Sequence, residues 1–356
     1  MSAARRLAWK KLALLWSTLV VCMVLAEVGL RLVSPIRSFV NPMTSFHRPD
    51  PLVGWLGMSD LDARFHQIDF DVRVRHGKDG FRLREGNVAP LPRSPVIAFL
   101  GDSFTWGWGV AGGRQFTDVV QERLGGGFDI RNLGVNNYST VQEWLLLRRE
   151  ITNGLHPRFV VVMLFNNDYL DNLEPDVRRP RVVLDTQDSR PRFTPATETA
   201  LKPWRIWLKK SALFSTIAYV VDLEKNRRRA RRLAESIHVE GRLSEDSRRA
   251  MRWALGEIRD TCASDGASLA CAYVASFEDV LADHDGGART VSRDLCSELR
   301  IPFLDLTPIL RRRGGDVPGK IYFEHDMHWT EEGNAAAGEE ISIFLKDLLS
   351  LTNSTL

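Results

Sequence analysis

Two short apolar runs constrain this chain more than any other feature. Val96–Leu100 (VIAFL) follows Pro95, and Phe159–Leu164 (FVVVML) contains no polar residue. Runs of this length, bounded by turn-forming residues, read as strands buried on both faces. Helical spacing fills the intervals. Gln115–Leu124 is amphipathic, and Thr140–Asn153 places Trp144, Leu145, Leu147 and Ile151 on one apolar face. Phe128–Leu133, Ser268–Val274 and Ile301–Leu306 read as further strands. Ser247–Ala263, Arg289–Leu299 and Thr330–Leu349 read as further helices, the last opened by Thr330 as N-cap. Strands alternating with helices predict a parallel sheet covered on both faces.

A length of 356 residues accommodates one large domain or two small ones. The net charge of +3 is too small to argue for a nucleic-acid partner. The four cysteines, Cys22, Cys262, Cys271 and Cys296, form no CxxC pair, which argues against a zinc site. Cys262 and Cys271 are a candidate disulfide, with three buried free thiols as the alternative.

Before the first strand the chain is of two kinds. Met1–Lys11 carries Arg5, Arg6, Lys10 and Lys11 and no acid, and the run from Leu12 to Val33 is apolar except for Glu27 and Arg31. As a helix that run is roughly 33 Å long, enough to cross a bilayer. Glu27 and Arg31 stand four apart and can pair on one face. The basic flank predicts a cytoplasmic N-terminus with the remainder outside, either as an uncleaved anchor or behind a cleaved signal. Ser34–Pro95 is a lead-in without long periodicity. His47–Pro51 and Val53–Trp55 read as turns, and Phe70–Arg75 as a short strand. Arg82, after Gly80-Phe81, reads as packing a loop onto the domain, with an anionic substrate group as the alternative.

Asp171–Leu243 interrupts the strand–helix rhythm. It begins proline-rich and polar, becomes apolar over Trp204–Glu224, and then carries Lys225, Arg227, Arg228, Arg229, Arg231 and Arg232. The expectation is one or two helices over the sheet edge, acting as a lid or lying near the membrane. The basic run is either a solvated helix face or a contact for anionic lipid or polymer.

Ser103, just past the first buried strand in Gly101-Asp102-Ser103, reads either as a helix N-cap or as a nucleophile at a sharp turn. A serine nucleophile needs a base, and His328, with Asp326 two residues before it, is the candidate pair. Metal binding by His325, Asp326 and His328 is a rival that lacks further ligands. Donors for a developing oxyanion are the Ser103 N–H, the loop at Gly134–Asn137 and the Asn167 amide, all placed after strands of one sheet.

These blocks, in this order, resemble the SGNH/GDSL hydrolase family. Gly101-Asp102-Ser103 is similar to its nucleophile block, Asn132–Thr140 to its second, Asn166-Asn167-Asp168 to its third, and Asp326-Met327-His328-Trp329 to its last. The GxSxG elbow of α/β-hydrolases is absent. The resemblance implies a three-layer α/β/α sandwich with a mainly parallel flavodoxin-like sheet, behind one N-terminal transmembrane helix. It also implies Ser103, His328 and Asp326 as catalytic residues, and Ser103, Gly134, Asn137 and Asn167 as the oxyanion hole.

Two features depart from the usual pattern. Asn137 stands where the second block has glycine, with Gly134 as the alternative donor. Asp-x-His also replaces the commoner Asp-x-x-His, which would put His325 where an acid belongs. The form found here is similar to that in alginate-type polysaccharide O-acetyltransferases.

The expected organisation is a cytoplasmic tail (1–11), a signal anchor (12–33), a lead-in packed on the domain (34–95) and an SGNH-like domain (96–350) with an insertion (171–243). The expected function is an extracytoplasmic, membrane-anchored serine esterase acting on an ester such as an O-acetylated glycan. It would use no metal or cofactor and have no nucleic-acid partner. The alternatives are an O-acyltransferase served by a polysaccharide-modification membrane partner, and a non-catalytic glycan-binding or assembly protein. Trp106 and Trp108 are candidate substrate-stacking residues.

Overall fold

The structure is a computed structural model that describes residues 3–33, 45–84, 94–174, 178–184, 192–195, 211–214, 216–217, 221, 244–281 and 287–353. Its centre is a sheet of five strands: β1 (Val96–Leu100), β2 (Asp129–Asn132), β3 (Pro157–Leu164), β4 (Ser268–Tyr273) and β5 (Phe303–Asp305). The spatial order is β5-β4-β3-β1-β2, and every pairing is parallel. This is the flavodoxin-like order, whose direction reverses between β1 and β3. The two apolar runs that dominate the sequence are these two adjacent strands. Ile97–Leu100 and Val160–Val162 have no exposed surface, as strands covered on both faces require.

Right-handed crossovers then decide which helix lies on which face. The step from β1 to β2 runs outward and the later steps run back across the sheet, so the intervening helices fall on opposite sides. Phe116–Leu124 packs against the closing helix Glu331–Asn353, and Thr140–Thr152 packs against Glu245–Asp265. Local signals set the helix starts. Gln115 caps the first helix in a reciprocal box with Asp118, and Ser139 caps the next with Gln142. Thr330 Oγ1 accepts from Gly333 N at 3.2 Å, as the N-cap reading expected.

The lead-in differs from its sequence reading. The segments taken as turns pair as an antiparallel hairpin, His47–Asp50 with Gly54–Gly57. Asp71–Arg75 is the expected strand, and its partner is Asp62–His66. Strands of four or five residues are too short for a periodic signal, and only the alternation of Phe70–Arg75 marked one of the four. Phe46, Phe65, Phe70 and Val74 form a second small core that closes over Trp106.

In the insertion, Arg181–Val183 pairs antiparallel with Arg192–Thr194. Most of Trp204–Glu224 and all of Lys225–Arg232 lie outside the described residues. The N-terminal helix spans Ala3–Val33, and its apolar stretch is the 24 residues Trp9–Leu32. That length and composition serve either a membrane anchor or a signal sequence. Arg31 Nε donates to Glu27 Oε1 at 2.7 Å, the pairing expected from the four-residue spacing. Glu27 also accepts from Ser211 Oγ at 2.8 Å and from the backbone N–H groups of Ala212 and Leu213, each at 2.9 Å. All four cysteines are free, and Cys262, Cys271 and Cys296 are buried.

Candidate active site

The end of β1 is shaped by close packing. Gly101 has φ +156°, and a Cβ there would lie 2.1 Å from Thr105 Oγ1, so only glycine lets the chain turn at this point. The next residue settles the choice between cap and nucleophile. Asp102, buried beneath the turn, is the N-cap, and its carboxylate accepts the Phe104 N–H at 2.9 Å. Ser103 is therefore the first helical residue of Ser103–Trp106, and its hydroxyl is free of capping duty.

That hydroxyl meets the loop before the last helix. Ser103 Oγ lies 2.6 Å from His328 Nε2, across 225 residues of sequence. His328 Nδ1 is hydrogen-bonded to Asp326 Oδ1, which also accepts the His328 backbone N–H at 2.9 Å. A carboxylate facing Nδ1 places the proton there and leaves Nε2 to accept from the serine. Asp326 Oδ2 accepts the Trp108 indole N–H at 3.1 Å. The imidazole, 9% exposed, is held between two rings. Trp108 stacks on it with centroids 4.8 Å apart and planes 18° apart, and Phe104 lies 4.7 Å away on a 38° tilt. Burial works against the Asp326 carboxylate. The His328 charge, with hydrogen bonds from His328 and Trp108, still holds its pKa below the usual carboxylate range.

His325 takes no part in this line. Its Nδ1 and its backbone N–H both contact Asp69, at 2.8 and 2.9 Å, at the tip of the 62–75 hairpin. That hydrogen bond raises the His325 pKa. Phe70 packs on Phe323 beside it, so the lead-in braces the loop that carries Asp326 and His328.

The oxyanion candidates Ser103, Asn137 and Asn167 all follow strands of the one parallel sheet. Ser103 N–H stands at the first turn of its helix. Asn137 has φ 62°, the left-handed backbone that the family's glycine would adopt without strain. Asn167 follows β3 and donates through Nδ2 to Asp171 Oδ2 at 3.1 Å. Gly134 is a correction. Its N–H donates to Asn132 Oδ1 at 2.9 Å, and a Cβ on it would stand 2.4 Å from Trp106 N. It is a glycine because two loops touch there, and its N–H is already satisfied.

The tryptophans are corrected as well. Trp106 is 1% exposed, stacks on Phe46 and donates its indole N–H to His76 at 3.3 Å, so no sugar reaches it. Trp108 is half-buried, and its indole serves the Asp326–His328 pair. Arg82 has the packing role. Its guanidinium donates to the carbonyls of Gly107 at 2.5 Å, Trp106 at 3.4 Å and Val110, and lies 4.5 Å from the Trp106 ring centre. It thereby ties off the loop that presents Trp108. Trp55, which the sequence marks only as part of a turn and of a stretch resembling membrane-anchored members of the family, donates its Nε1 to Asn136 O at 3.0 Å.

Under the site lie further buried carboxyls. Burial pushes Asp102 up to about 6, against the Phe104 N–H, the His328 charge and a hydrogen bond from Asn167. Burial also pushes Glu143 and Asp168 well above the ordinary range, and their mutual repulsion and that of Asp102 add to it.

A five-stranded parallel sheet with helices on both faces, and a serine at the switch point between β1 and β3, define a three-layer α/β/α hydrolase. The chain belongs to the GDSL-like lipase/acylhydrolase family, whose pattern matches residues 99–336, and it is an ester hydrolase of the SGNH/GDSL type. No curated protein matches it by sequence. Among solved structures it is similar to TesA, at 12% identity over 71% of this chain and 99% of that one, with a TM-score of 0.41. It is also similar to Est24, a carbohydrate acetylesterase from Sinorhizobium meliloti, at 14% identity over 72% and 100%, with a TM-score of 0.39. An aryl esterase from M. smegmatis matches at 14% identity over 72% and 100%, with a TM-score of 0.38. The assignment rests on the family match rather than on these distant likenesses.

Proposed function

We propose that the chain is a membrane-anchored, extracytoplasmic serine esterase that removes an ester-linked acyl group, such as O-acetyl, from a glycan. The observation that carries this reading is the unbroken line from Ser103 Oγ through His328 to Asp326, closed by a 2.6 Å contact. Ser103 Oγ attacks the ester carbonyl as His328 Nε2 takes its proton. Asp326 keeps the imidazole in the productive tautomer and stabilises the imidazolium. The negative charge that develops on the carbonyl oxygen is met by the N–H groups of Ser103 and Asn137, and the Asn167 amide becomes third donor by turning the N–H that faces Asp102 to the oxyanion. As the intermediate collapses, His328 returns the proton to the departing alkoxide. Water, deprotonated by His328, then releases the acyl group from Ser103. The basic flank Arg5, Arg6, Lys10 and Lys11 supports a cytoplasmic N-terminus and a catalytic domain on the opposite side.

The Asp326-Met327-His328-Trp329 spacing favours a second outcome, in which a glycan hydroxyl replaces water as acyl acceptor and the protein acts as an O-acyltransferase. Turnover of p-nitrophenyl acetate, with and without oligosaccharide acceptors, separates the two. Hydrolysis and fluorophosphonate labelling are expected to vanish in Ser103→Ala. Activity unchanged in that variant overturns the assignment, and a wild-type chain that the probe does not label supports a non-catalytic binding protein instead.

A further inference from the structure

Arg179 belongs to none of the sequence blocks that carry the chemistry. It lies at the start of the segment that interrupts the strand–helix rhythm, and its side chain is 1% exposed. A guanidinium taken out of water needs compensating partners. Beside the half-exposed Glu174 carboxylate at 3.8 Å, its partners lie at Asp171 and at the Asn137 carbonyl. One terminal nitrogen stands 3.3 Å from Asp171 Oδ2, a fully buried carboxylate. The other donates to the Asn137 carbonyl at 3.3 Å. The same Asp171 oxygen accepts the Asn167 amide at 3.1 Å. The guanidinium lies 5.3 Å from the centre of the Trp55 ring, whose own N–H holds the Asn136 carbonyl.

One buried ion pair therefore ties together Asn137 and Asn167, which stand on loops after different strands. The tie answers a specific need. Asn137 occupies φ 62°, a left-handed backbone that glycine adopts freely and that asparagine, the most tolerant of the other residues, still adopts at some cost unless its surroundings hold it. We propose that Arg179 is a positioning residue for the oxyanion hole. It clamps the Asn137 carbonyl in its left-handed turn and, through Asp171, fixes the Asn167 amide. The proposal rests on the serine-esterase reading in taking these two groups as oxyanion donors. It explains how this chain does without the glycine that its family has at that position.

The test uses the full chain in detergent micelles. Arg179→Met is expected to lower kcat on p-nitrophenyl acetate by about 30-fold with KM within about two-fold. Fluorophosphonate labelling of Ser103 slows in step, and amide exchange over residues 133–139 quickens by about ten-fold. Adding Asn137→Gly to Arg179→Met restores at least about five-fold in kcat, because glycine holds the turn without the clamp. Arg179→Met with Asp171→Asn removes both charges, keeps the fold from carrying a lone buried carboxylate, and shows the same loss of kcat. The proposal is overturned if kcat stays within about three-fold in both backgrounds, or if glycine at 137 restores nothing. A wild-type chain unlabelled by the probe refutes the esterase reading instead. The exchange measurement then decides the clamp by itself, and unchanged exchange over 133–139 refutes it.

Discussion

Replacing Trp108 with phenylalanine keeps a ring over His328 and deletes one hydrogen bond, the indole N–H to Asp326 Oδ2 at 3.1 Å. Hydrogen bonds to charged groups contribute about 1.5–3 kcal/mol, and the half-buried position of Asp326 favours the lower part of that range. At about 1.4 kcal/mol per factor of ten, Trp108→Phe should lose about 10- to 30-fold in kcat on p-nitrophenyl acetate. KM should stay within about two-fold, since the lost contact orients the base and does not bind substrate. The pH profile carries a sign. The Trp108 hydrogen bond helps hold the Asp326 pKa below its usual range, so its removal raises that pKa. Asp326 then holds its proton to a higher pH, a shift that is read from its carboxyl carbon resonance in a pH titration of the two proteins. Trp108→Ala also removes the ring and should lose more. A rise in KM at unchanged kcat would return Trp108 to the substrate surface and refute this reasoning.

Other expectations follow from the same geometry. Gly134→Ala drives a Cβ to 2.4 Å from Trp106 N, and the two loops must part. A stability loss of about 1–3 kcal/mol in urea unfolding, with reduced activity, is expected. Asp102, raised by burial to about 6, binds its proton more tightly folded than unfolded. Stability should therefore fall as pH rises from about 4 to 6, by roughly 3 kcal/mol from this group, and hold level above that. Asp102→Asn, which can still cap the helix, should flatten this decline in urea midpoints measured across that range.

The fold was legible because buried parallel strands need apolar residues on both faces. VIAFL and FVVVML say so without help from their neighbours. The site was legible in part, because strand ends in such a sheet meet at one edge. That rule places Ser103, the 134–137 loop and Asn167 at one edge from the order of the strands alone. It did not reach the lead-in. Hairpins of four- and five-residue strands bury single side chains, and their pairing is fixed by what they pack on. Trp55 and Asp69 therefore carried almost no signal, although each braces a loop of the site, whereas Arg82 was already legible as packing a loop onto the domain.

By itself the sequence determined the sheet, its covering helices, the apolar N-terminal helix and the residue types able to perform acyl chemistry. All of these follow from periodicity and spacing, which are local properties. Tertiary structure alone decided what contact decides. It made Asp102 rather than Ser103 the cap. It used the Gly134 N–H within a turn and put Asn137 in the left-handed backbone. It buried Trp106, and it turned the Trp108 indole toward Asp326. Donors and faces are allotted only when distant segments close on one another, and no count along the chain records which group each of them meets.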